Sequence, residues 1–109
     1  MDRIILYQFE ASWIKVMIEA YFNKENLIIE GYDIGDRVEE WYGDSDYEYA
    51  VVVSGDEVLK LYPLLDVKEG DKEGLLKAIA KKYNTNTCYS DFRYFLENNQ
   101  IKSEGFSWA

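Results

Sequence analysis

The chain has 109 residues, with 21 acidic against 12 basic side chains, a net charge of −9, no histidine and one cysteine. That length fits one core, so residues 1–109 are expected to form a single domain. Without histidine the chain lacks the usual triad base, proton shuttle and commonest metal ligand, and the lone Cys88 excludes an internal disulfide or a Cys-rich zinc site.

Hydrophobic residues make up 48% and aromatics 17% of the chain, ample for a packed interior and contrary to disorder. Residues 3–9 (Arg-Ile-Ile-Leu-Tyr-Gln-Phe) are rich in β-branched and aromatic side chains and read as a strand. After a weak break at Ala11-Ser12, the residues Trp13, Ile14, Val16, Ile18, Ala20 and Phe22 alternate with Lys15, Met17, Glu19 and Tyr21. This alternation predicts a second strand, although Trp13, Met17, Ala20 and Tyr21 also fit helical spacing. The strand is preferred because Asn23-Lys24-Glu25-Asn26 has the composition of a hairpin loop leading into Leu27-Ile28-Ile29. Gly31 and Gly35 bracket Tyr32-Asp33-Ile34 and suggest a bulge or sharp bend, followed by an exposed loop.

Beyond Gly43, strand alternation places Asp44, Asp46 and Glu48 on one face and Ser45, Tyr47 and Tyr49 on the other. The segment then turns wholly apolar at Ala50-Val51-Val52-Val53, as a central strand does. Ser54 is a candidate N-cap for a helix through Val58, Leu59, Leu61, Tyr62 and Leu65, which Pro63 shortens or splits. Asp71 leads a second helix with the stripe Leu75, Leu76, Ile79, Ala80 and Tyr83, and lysines gather at its C-terminal end. Phe92, Phe95 and Leu96 mark a third helix ending near Asn98-Asn99, and residues 101–108 return as a last strand. Strands, then helices, then a strand predict an α+β fold. A mainly antiparallel sheet of four to five strands would carry two or three C-terminal-half helices on one face.

Charge is segregated along the chain. Residues 30–57 hold ten acids and one base, Arg37, and so carry the whole net charge. Such a one-sided field speeds encounter with cationic partners and repels nucleic acid and anionic membrane. The competing explanation is a solvated face that keeps the chain soluble. Tyr32, Trp41, Tyr42, Tyr47 and Tyr49 lie among these acids, and aromatic anchors beside steering charges are the makings of a protein interface. The expected partner-binding residues are therefore Asp33, Asp36, Glu39, Glu40, Trp41, Tyr42, Asp44, Asp46, Tyr47 and Glu48. Their carboxylates would pair with lysines and arginines of a basic protein, and their rings would supply the apolar contact.

Motifs for chemistry are sparse. Asp44, Asp46 and Glu48 have the spacing of the first calcium-loop ligands, but the sixth position is Tyr49 and the twelfth Gly55, not glycine and glutamate. No metal, cofactor or catalytic residue is expected. The carboxylate pairs Glu39/Glu40 and Asp46/Glu48, beside Trp41 and Tyr42, leave an alternative open: a small carbohydrate-binding or carbohydrate-active domain. Cys88 falls at a predicted helix start, where a thiolate is favoured; a partly buried capping side chain is the plainer reading. No signal peptide is visible at Met1-Asp2-Arg3. The longest apolar runs are strand-length, and with a lone thiol these features point to the cytoplasm.

The stretches Glu30-Gly31-Tyr32-Asp33-Ile34-Gly35 and Trp41-Tyr42-Gly43-Asp44-Ser45-Asp46-Tyr47-Glu48-Tyr49, with the closing Phe106-Ser107-Trp108, resemble a family of small bacterial proteins. In size, acidity and lack of catalytic residues the chain also resembles the immunity proteins of bacterial toxin systems, including contact-dependent inhibition. That resemblance implies a non-catalytic protein that binds a cognate toxin, often a basic nuclease, and blocks its active site. It covers the character of the whole chain and assigns no individual residue.

Overall fold

The structure, a computed structural model, describes residues 3–35 and 46–108. The elements run β1 (Arg3–Ala11), β2 (Ile14–Asn23), β3 (Asn26–Gly35), β4 (Asp46–Val53), two single-turn helices α1 (Gly55–Val58) and α2 (Leu61–Leu64), then α3 (Lys72–Lys82), α4 (Cys88–Asn98) and β5 (Glu104–Trp108). The five strands form one antiparallel sheet in the order β1-β2-β3-β4-β5. The expected α+β fold with helices from the C-terminal half on one face is what the chain adopts.

Two-residue turns fix the first two registers. Ala11 pairs with Ile14 across Ser12-Trp13, and Asn23 pairs with Asn26 across Lys24-Glu25. Lys24 takes the left-handed conformation (φ 58°) that the second turn needs, without a glycine there. Residues 13–22 are thus resolved in favour of strand, with Trp13 at the turn tip.

The expected irregularity near Gly31 is absent. β3 pairs with both neighbours in unbroken register from Leu27 to Ile34. Gly31 is there for space: a Cβ would lie 2.5 Å from Cε2 of Tyr49, whose ring crosses its backbone. The register shift occurs in β1, between Ile5 and Tyr7. This bulge lets Leu6 enter the core while Tyr7 and Phe9 pair with Ile18 and Val16.

Strand alternation gives the sheet two unlike faces. One carries Ile18, Ala20, Leu27, Ile29, Val51 and Val53, which form a single buried cluster with Val58, Leu61, Leu75, Leu76, Ile79, Phe92 and Leu96 from the helices. Fully burying each of the Val, Leu, Ile and Phe side chains among them contributes about 1.5–3 kcal/mol, so this layer is the main source of stability. Phe92 stands at its centre, edge-on to Tyr83 with ring centroids 5.4 Å apart.

The helices start and stop for local reasons. The expected helix after Ser54 is divided at Leu59-Lys60, so Pro63 falls inside the first turn of α2, where its missing N–H leaves no bond unmade. Asp71 caps α3, its side chain accepting from the Gly74 N–H at 2.9 Å, and Lys81 and Lys82 sit in the last turn. Side chains also tie the layers together: Asn26 accepts from the Gly55 N–H, and Lys72 pairs with Glu25 at 3.1 Å.

Candidate protein-binding surfaces

The second sheet face is uncovered by any helix among the described residues. Register places Ile5, Met17, Ile28, Tyr32, Ile34, Val52 and Phe106 on it. Ile5 is 50% exposed and Phe106 48%, high for large apolar side chains. Glu10, Glu19, Glu30, Glu48 and Glu104 share this face with Arg3 and Lys15 as its bases among the described residues.

At one end of this face Arg3 offsets part of the glutamate charge. Arg3 Nη1 lies 2.8 Å from Glu30 Oε1 and 3.7 Å from Glu19 Oε1, and its guanidinium stacks 4.1 Å from the Tyr21 ring centre. Tyr21 donates to the other oxygen of Glu30 at 3.1 Å. The hydrogen bond from Arg3 to Glu30 holds the guanidinium above its usual pKa. Glu48, exposed in β4 opposite Tyr32, lies two residues along the chain from this cluster's row.

The helix side of the sheet is not fully covered either. Near the β1–β2 turn the strands outrun the helices, and Tyr7, Phe9, Trp13, Asp33, Tyr49 and Asn86 surround a depression of about 420 Å³. Phe9 and Trp13 have ring centroids 6.3 Å apart and are 41% and 46% exposed. Asp33 lies half-buried here and accepts from the Tyr49 hydroxyl at 3.2 Å. Burial pushes the Asp33 carboxyl above the usual carboxylate range, and the hydrogen bond from Tyr49 opposes this. Burial and the neighbouring Asp33 carboxylate push the Tyr49 hydroxyl far upward, so it remains a donor.

Tyr49 also borders a second depression, of about 390 Å³, between α4 and the β4–β5 pair. Its ring meets Tyr89 edge-on at 4.7 Å and Tyr47 at 5.8 Å. Arg93 closes the far side, 5.9 Å from the Tyr89 ring centre. It lies so near Gly105 that a Cβ there would be 2.8 Å from its Nη2.

Of the residues expected to bind a partner, Asp33, Asp46, Tyr47 and Glu48 fall in described strands, and Asp36, Glu39, Glu40, Trp41, Tyr42 and Asp44 lie outside the described residues. The structure separates rather than gathers the described ones. Asp33 pairs with Tyr47 on the helix side of the sheet, Glu48 is on the uncovered face, and Asp46 opens β4 opposite Ile34. Glu57, another acid of the charged segment, serves the fold itself. Its Oε1 accepts from the Lys102 N–H at 2.6 Å, and Lys60 pairs with Oε2 at 3.0 Å. These contacts, led by the Lys102 N–H, hold its carboxyl below the usual range.

Cys88 is fully buried in the core, and burial pushes its thiol up to about 11. It is a packing residue at the start of α4, with no thiolate character. Sequence reasoning missed Tyr7, Phe9 and Trp13 as site residues. They are local to the first hairpin, and only pairing with β3 brings them to Asp33. No helix among the described residues is long and apolar enough to cross a membrane, and no three acids or thiols among them converge on a metal-sized site. No family model, curated protein or solved structure matches the chain.

Proposed function

We propose that this protein is a non-catalytic binding protein of the cytoplasm that neutralises a basic protein partner, in the manner of an immunity protein blocking a toxin nuclease domain. The uncovered sheet face carries the reading. It sets Met17, Tyr32 and Ile34 close together on the central strands, with exposed Ile5 and Phe106 on the edge strands. Glu19 and Glu30 lie between them, giving the mixture of apolar and charged side chains that protein interfaces combine. The −9 charge steers a cationic surface toward it, and docking occupies the lysines and arginines with which a nuclease holds phosphate. Trp41 and Tyr42, from the same acidic segment, are further candidate anchors.

The test takes as candidate partner a basic, toxin-like domain from the adjacent reading frame, if the locus encodes one. Purified protein mixed with that domain should form a stable complex and suppress its cleavage of a DNA or RNA substrate in stoichiometric proportion. Cleavage that continues with the protein in tenfold excess, together with specific retention on a glycan array, replaces this reading with the carbohydrate-binding one.

A further inference from the structure

The depression on the helix side of the sheet combines two features that belong together chemically. Its walls are aromatic: Phe9 and Trp13 are substantially exposed, and Tyr7 and Tyr49 flank them. Its polar group is the half-buried Asp33 carboxylate. Oδ1 accepts one hydrogen bond, from Tyr49, and no lysine or arginine among the described residues pairs with Asp33. The nearest basic position in register, Lys15 opposite Ile34, is on the other face of the sheet.

A half-buried carboxylate with no counter-charge among the described residues is costly, and it persists here in a chain already carrying −9. A cation entering the depression would meet the negative faces of aromatic rings and then the Asp33 carboxylate. A guanidinium fits this better than other cations. It is planar and weakly hydrated, stacks on rings, and carries N–H donors for the unused carboxylate lone pairs. A quaternary ammonium stacks equally well but gives Asp33 no hydrogen bond. An arginine side chain also supplies an apolar stem to lie against Phe9 and Val16.

We propose that the aromatic depression over Asp33 is a receptor for a single arginine side chain presented by a protein partner. The assignment rests on the basic-partner reading for the source of the cation. The chemistry of the depression stands on its own residues. Because this site and the uncovered sheet face lie on opposite sides of the sheet, they are separable by substitution.

The probe is N-acetyl-arginine amide, titrated into the isotope-labelled protein and followed by two-dimensional NMR, with N-acetyl-citrulline amide and tetramethylammonium as comparators. Arginine amide should give saturable shifts at Phe9, Asp33 and the Trp13 indole N–H. It should bind about tenfold or more tightly than citrulline amide, the difference one charge-assisted hydrogen bond makes. Asp33→Asn should remove that preference while the spectrum stays dispersed. Trp13→Ala, in an exposed turn, should weaken binding even if Asp33→Asn fails to fold. Equal binding of citrulline amide, tighter binding of tetramethylammonium, or no saturable shift overturns the assignment. A basic partner whose affinity is unchanged by both substitutions also overturns it and leaves the partner reading standing. Arginine amide that binds as expected, beside a neighbouring domain that does not, upholds the receptor and removes that domain as its source.

Discussion

The Tyr49 hydroxyl reaches across the β3–β4 pair to donate to Oδ1 of Asp33 at 3.2 Å, and its ring crosses the bare backbone of Gly31 on the way. Three residues of two strands thereby fix where a half-buried carboxylate stands. The glycine clears the path, the tyrosine supplies the donor, and Tyr89 of α4 holds the ring edge-on from the other side at 4.7 Å.

Gly31→Ala tests this arrangement most directly. The new Cβ would lie 2.5 Å from Tyr49 Cε2, so the ring must leave its place between β3 and α4. Overpacking of this kind costs about 1–3 kcal/mol, and chemical denaturation should report a loss in that range. Adding Tyr49→Val removes the clashing ring, and the double variant should lose less than the two single losses added together. Simple additivity would show that Gly31 is needed for some other reason.

Asp33 makes stability depend on pH with a definite sign. Burial raises its folded-state pKa above the ordinary 3.8, so the folded chain keeps this proton longer than the unfolded one. Its contribution is fully present in acid below the unfolded pKa and is lost as pH rises through the folded value. Asp33→Asn abolishes the titration and can still accept from Tyr49. The stability of this variant relative to the parent should therefore improve from about pH 3 to about pH 7, measured by thermal melts. A relative stability that falls over that range would contradict the raised pKa.

Cys88 should behave as an inert core residue. With the thiol pushed up to about 11 and no exposed surface, its alkylation by iodoacetamide at mildly alkaline pH should be slow. Compared with the denatured chain, a rate lower by on the order of 100-fold is expected from the thiolate fraction alone. Native and denatured rates within a factor of a few of each other would show that α4 opens readily at its start.

Charge reversal on the uncovered face separates binding from folding. Glu10→Lys and Glu104→Lys change exposed strand positions, so stability should move by no more than about 0.5 kcal/mol. Stopped-flow association with the basic domain should slow, and its decline with added salt should flatten, because steering is screened beyond about 8–10 Å. Unchanged rates at every ionic strength would make these acids a solubility feature.

The sequence by itself determined the succession of strands, helices and a last strand, though not the division of the helix after Ser54. Period-two alternation in residues 13–22 and up to Tyr49 is a local signal, as are the apolar run at 50–53, the apolar stripe of α3 and its start at Asp71. Each depends on neighbours within a few positions, and each is found in the structure. Gly31 shows the limit of such signals: with Gly35 it reads as bracketing a bulge or bend, whereas here it makes room for a ring eighteen residues further on. The acidic segment is contiguous in sequence, yet register puts Asp33 and Glu48 on opposite faces of the sheet. Phe9, Trp13, Asp33 and Asn86 meet because of strand pairing and the placement of the turn before α4. Only tertiary structure decided that meeting, since a side chain's face follows from local alternation but its neighbours follow from which strand lies beside it.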